Sequence, residues 1–99
     1  MTFKLLKSNN MDIRAKIEGL GPLIVLVHGC PESWYSWRHL IPLLAENGYT
    51  VAAIDVRGYG GSSKPYEIKA YSMRELTNDV IGVIDALGFE KAILIGHDW

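Results

Sequence analysis

Asp98 stands in the segment Gly96-His97-Asp98-Trp99, directly after the apolar run Ala92 to Ile95. A small residue two places ahead of a reactive side chain, at the end of a buried strand, begins a nucleophile elbow, a turn sharp enough for that side chain to project alone. A carboxylate at the projecting position can attack an electrophilic carbon and form an ester intermediate. The same Asp also suits the N-cap of a following helix, so the residues alone leave two readings of position 98. A second segment, His28-Gly29-Cys30-Pro31-Glu32, follows the apolar run Leu23 to Val27. Gly29 permits a sharp backbone turn that can direct an amide toward a neighbouring strand end, although an ordinary strand-to-helix turn has the same composition.

Other segments invite chemistry that their context does not support. Asp55-Val56-Arg57-Gly58-Tyr59-Gly60-Gly61-Ser62 is rich in glycine but carries neither the dinucleotide nor the phosphate-loop pattern. Pro65 follows and helix signals begin only near Ser72, so no helix N-terminus meets these glycines, and the segment reads as a structural turn. His28, Cys30 and His97 lack paired metal-ligand spacing and a fourth ligand, so no metal is expected. Cys30 is poorly placed to be activated by His28 two residues away on a turning loop, and reads as a small packing residue. Trp34, Tyr35 and Trp37 lack the basic groove that accompanies a base-stacking platform.

The charge balance agrees: ten Lys and Arg against eleven Asp and Glu give a net charge of −1, with no footprint for nucleic acid. Hydrophobic residues form 48% of the chain, enough to exclude disorder and to require a packed core. The single cysteine, Cys30, excludes an intramolecular disulfide and suits a reducing compartment. The longest apolar run, Leu23 to Val27, has strand length and is far too short for a membrane span, and the first residues lack a signal-peptide core. A soluble cytoplasmic protein is expected.

The elements that must position these segments follow from the hydrophobic pattern. Phe3 to Lys7 and Asp12 to Glu18 alternate around Ser8-Asn9-Asn10-Met11, which predicts a β-hairpin. Leu23–Val27, Thr50–Val56 and Ala92–Ile95 read as strands, the first as one buried on both faces. Between them, Trp34 to Asn47 reads as helical with Trp37, Leu40, Ile41 and Leu44 on one face, and Pro42 is expected to kink it or to begin a second short helix. Ser72 and Glu75 form a capping box for a helix that carries Met73, Leu76, Val80, Val83, Ile84 and Leu87 at helical spacing, and Gly88 supplies its stop. This alternation predicts an α/β fold, a hairpin followed by a parallel βαβαβ sheet with helices on both faces. Leu23–Val27 is expected between the other two parallel strands, with the hairpin beside Thr50–Val56 and Ala92–Ile95 as an exposed edge. A sequence that stops just past a core strand reads as the N-terminal portion, residues 1–99, of a larger domain.

In their order and spacing these motifs resemble the α/β-hydrolase superfamily, and within it the soluble epoxide hydrolases. The resemblance rests on His28 to Arg38, Asp55 to Ser62 and Gly96 to Trp99, and extends over nearly the whole chain. It implies that Asp98 is the nucleophile that opens an epoxide, giving an ester that water hydrolyses to a vicinal diol. It makes the backbone N–H groups of Cys30 and Trp99 the oxyanion hole, and places Cys30, Pro31 and Trp99 against a small-molecule substrate, with no cofactor. The superfamily order of nucleophile, acid and histidine puts the water-activating histidine after residue 99, since His28, His39 and His97 all precede Asp98. A dehalogenase of the same fold, with the same Asp nucleophile and a haloalkane substrate, remains the alternative enzyme, and a non-catalytic hydrolase-derived segment the alternative of another class.

Overall fold

Asn9 and Asn10 adopt left-handed backbone angles, φ 52° and 61°, and close a two-residue turn between strands β1 (Thr2–Ser8) and β2 (Met11–Glu18). Two successive positive φ values match the twist of paired strands, and asparagine tolerates them better than most residues. The computed structural model describes residues 2–29 and 32–96. Cys30, Pro31, Asp98 and Trp99, the sequence-derived site residues, therefore lie outside the described residues.

The remaining elements are β3 (Leu23–Val27), α1 (Leu40–Glu46), β4 (Thr50–Ile54), α2 (Met73–Ala86) and β5 (Ile93–Gly96). Among the described residues they form one five-stranded sheet in the order β1-β2-β4-β3-β5. β3 runs parallel to β4 and β5, whereas β2 pairs antiparallel with β4. The expected order thus holds, with the hairpin extending the sheet beside β4.

Alternate residues of the central strands face opposite layers. Leu23, Val25, Ala52 and Ile54 join Ile13 and Ala15 of β2 in a core covered by Val80, Val83 and Ile84 of α2. Ile24, Leu26, Val51 and Ala53 turn to the other face and pack on Ile41, with Trp37, Leu40 and Leu44 beside it. β3 needs its run of five apolar residues because both faces are covered. β5 is the exposed edge that the sequence leads one to expect, with Ile93 and Leu94 at 50% and 57% exposure.

Local differences from expectation have physical causes. The segment from Trp34 to Asn47 is a 3-10 turn at Trp34–Trp37 followed by α1, rather than one helix. Pro42 is the third residue of α1, where an N–H would have no intrahelical partner. β4 ends at Ile54 instead of Val56, because the Val56 N–H donates to the His28 ring. Helix α2 begins as expected, the Ser72 hydroxyl accepting from the Glu75 N–H at 3.3 Å, and ends before Gly88 at φ 82°.

Candidate active site

Val27 and Gly96 are register partners at the ends of β3 and β5. β3 and β5 therefore end side by side and point the same way, at the carboxyl end of the parallel strands. That is where open α/β sheets bind ligands. The loop after β4 leaves the same end. Of the motif segments, His28 and Gly29 and the whole of Asp55 to Ser62 are described at this end.

Asp55 ties the two described loops together. It is fully buried, yet both carboxylate oxygens have partners. Oδ1 accepts from the Trp34 N–H at 2.8 Å, and Oδ2 accepts from the Gly61 N–H and from Arg14 Nε, each at 2.9 Å. Its backbone carbonyl accepts from the Ser62 hydroxyl, which in turn accepts from the Arg14 N–H. The carboxylate thus joins β2, the start of the 3-10 turn and the glycine-rich loop. Gly60, at φ 52°, lies so close that a Cβ there would sit 2.3 Å from the carboxylate. The glycines of this loop serve a tight wrap around Asp55, in keeping with a structural turn.

His28 is also fully buried. Its Nε2 accepts from the Val56 N–H at 3.0 Å, and its Nδ1 lies 2.7 Å from the Gly29 carbonyl oxygen. The Gly29 N–H donates to Glu32 Oε1 at 3.0 Å, so a side chain from the far side of the turn holds the same residue.

The third buried constellation lies beneath α2. Arg57 makes a two-point contact with Asp79, Nε to Oδ2 and Nη2 to Oδ1, each 2.6 Å, and its Nη1 donates to the Ala70 carbonyl. The Asp79 hydrogen bonds raise the Arg57 pKa above its ordinary value against the opposing effect of burial. Asn9 from the hairpin turn also donates to Asp79 Oδ1, at 3.2 Å. Neither Asp79 nor this use of Arg57 was read from the sequence. The available signal was a carboxylate on the apolar face of a helix, at position 79 between Leu76, Val80 and Val83. An apolar cavity of about 130 Å³ adjoins the pair, lined in part by Val27, Ile54 and Val80.

Among the described residues no group of three or more His, Cys, Asp or Glu is gathered to hold a metal ion, and no helix is long and apolar enough to cross a membrane.

Comparison with known proteins places this arrangement in context. Residues 22–99 match the family described as alpha/beta hydrolase fold. Epoxide hydrolase B of Mycobacterium tuberculosis is 63% identical over 79 residues, which cover 80% of this chain and 22% of that protein. Epoxide hydrolase A of the same organism is 48% identical over 100 residues, covering 99% of this chain and 31% of the relative. The solved structure of an epoxide hydrolase from an endophytic Streptomyces superposes with a TM-score of 0.97 at 51% identity, covering 99% of this chain and 30% of that one. The chain therefore spans less than a third of the length of these relatives.

Proposed function

The chain belongs to the alpha/beta hydrolase fold family, and from that premise we propose that it is the N-terminal portion of an epoxide hydrolase whose nucleophile is Asp98. The observation that carries this reading is the pairing of Val27 with Gly96, which brings the ends of β3 and β5 side by side. That adjacency supports an arrangement in which the Cys30 and Trp99 N–H groups flank the Asp98 carboxylate, with Cys30, Pro31 and Trp99 against a small epoxide.

One Asp98 oxygen attacks an epoxide carbon and the ring C–O bond breaks. The freed alkoxide takes a proton from an acid supplied outside residues 1–99, leaving a hydroxyalkyl ester. Water then adds to the ester carbonyl carbon, and the oxyanion so formed is held by the Cys30 and Trp99 N–H groups, each worth about 3 kcal/mol in such sites. Collapse expels the diol and restores a carboxylate that keeps one oxygen from water. The base that activates this water follows Asp98 in the superfamily order, so residues 1–99 by themselves are expected to be inactive. The setting is a reducing one, the cytosol, as the lone Cys30 suggests.

The test is single-turnover hydrolysis of a model epoxide in oxygen-labelled water by the longer protein that carries this chain. The label is expected in the enzyme and not in the first diol. Asp98→Asn is expected to abolish ester formation until the amide is hydrolysed, because a neutral amide is a far weaker nucleophile. Label in the first diol, or full activity of Asp98→Asn, ends the covalent reading. Turnover of haloalkanes and of no epoxide moves the assignment to a dehalogenase.

A further inference from the structure

We propose that β1 is an interaction surface for a second copy of this chain, the two β1 strands pairing antiparallel about a two-fold axis at Leu5. β1 stands first in the sheet order and has β2 alone as a neighbour among the described residues. It pairs with β2 without interruption, from Thr2 with Ile17 to Ser8 with Met11, so no bulge bends it away. It carries no proline, and its Phe3 and Leu5 are 42% and 63% exposed. A regular, partly apolar edge strand is a template for another strand.

The backbone decides which residues can pair. The Arg14 N–H donates to the Ser62 hydroxyl and its carbonyl accepts from the Asp55 N–H, both on the side of β2 away from β1. Backbone direction alternates along an antiparallel pair, so Leu5, opposite Arg14, turns its own N–H and carbonyl away from β2, as do Phe3 and Lys7. A pair centred on Leu5 joins these outward groups, with Leu5 opposite its own copy and Phe3 opposite Lys7. Charge favours the same centre. Lysine often guards a sheet edge, but here Lys4 falls opposite Leu6, and Lys7 opposite a Phe3 ring that already receives Lys16 at 3.8 Å. A pair centred on Lys4 sets two ammonium groups face to face. Shape favours it too. Leu6 and Ser8 are buried, the Ser8 hydroxyl donating to the Asp79 carbonyl of α2, whereas Thr2 and Lys4 are exposed. α2 therefore covers only the Leu6–Ser8 half of β1, and the two-fold sets each helix beside the uncovered half of the other copy.

The test is sedimentation velocity of the longer protein that carries this chain, over a concentration series, together with amide hydrogen exchange in β1. A monomer–dimer equilibrium is expected. Protection of the Phe3, Leu5 and Lys7 N–H groups should rise with concentration, while those of Lys4 and Leu6, already bonded to β2, stay protected throughout. Leu5→Lys, which sets like charges opposite each other on the axis, should weaken the dimer about tenfold or more. Leu5→Cys should form an intermolecular disulfide under oxidation, whereas Lys4→Cys, diagonal to its own copy, lies too far away to form one. A protein that stays monomeric, or Phe3, Leu5 and Lys7 amides protected in the monomer by another segment of the same chain, overturns the proposal. So does a dimer that Leu5→Lys leaves intact, or a disulfide at Lys4→Cys and none at Leu5→Cys. If Leu5→Lys fails to fold, the exchange pattern of the unsubstituted protein and the two cysteine variants decide between the same outcomes.

Discussion

Asp55 and Asp79 are both buried carboxylates facing an arginine, and they are satisfied in opposite ways. Asp55 receives two backbone N–H groups and a single contact from Arg14, whose side chain is still 34% exposed. Asp79 receives the Nε and Nη2 edge of the Arg57 guanidinium, on a side chain that is itself 1% exposed. In the first case the partners are mostly neutral loop amides, so the carboxylate orders the backbone. In the second the partner is a fully desolvated charge, so each ion depends on the other. Loop geometry at the candidate site thus depends on one carboxylate, and the seating of α2 on the hairpin and the β4 loop on the other.

The largest expected effect follows from that dependence. Arg57→Met leaves Asp79 buried without its charge partner and should cost about 3–5 kcal/mol by denaturant titration. Adding Asp79→Leu should recover most of that loss, because a buried ion pair contributes far less than either ion costs alone. Asp55→Asn should cost less, about 2 kcal/mol, since Oδ1 can still accept from Trp34 while an amide N–H replaces the acceptor for Gly61 and Arg14. Its signature is local: amide hydrogen exchange should quicken at Gly61 before it does in β3. An Arg57→Met cost no greater than that of Asp55→Asn breaks the contrast between the two sites. Gly60→Ala sharpens it, with an expected loss of about 1–2 kcal/mol from the left-handed backbone, plus displacement of the Asp55 carboxylate that the new Cβ approaches. The smallest effect concerns pH. A raised Arg57 pKa makes its stabilisation complete below the ordinary arginine range, and it is lost only as pH climbs through the raised value. Titration of Arg57 should therefore add no slope to unfolding free energy between about pH 5 and 10.

Much of the scaffold was legible because it depends on local periodicity. Asn9-Asn10 marked the hairpin, the uninterrupted Leu23–Val27 run marked the strand covered on both faces, and Ser72 with Gly88 bounded α2. The interior place of Leu23–Val27 in the sheet was legible in its continuous apolar run. The polar interior was less legible. Asp55 and Arg57 were read as parts of a turn, and their partners Arg14 and Asp79 lie 41 and 22 residues away, which no local pattern reports. His28 was visible as the head of the loop motif, but its bond to the Val56 N–H was not, since that contact depends on where β4 ends. The division of the Trp34 to Asn47 segment was partly foreseen at Pro42, but the Asp55 contact that anchors the Trp34 N–H was not.

The partners of Asp55 lie 41, 21 and 6 residues from it along the chain. Contacts of such different separation cannot close together early in folding, because the longer loops must first be brought into place by pairing of β2, β3 and β4. The Asp55 contacts are therefore expected to close after the rate-limiting barrier. Asp55→Asn is then expected to hasten unfolding while leaving the refolding rate nearly unchanged. That outcome would set the loops around Asp55 among the last parts of the chain to assemble and the first to come apart.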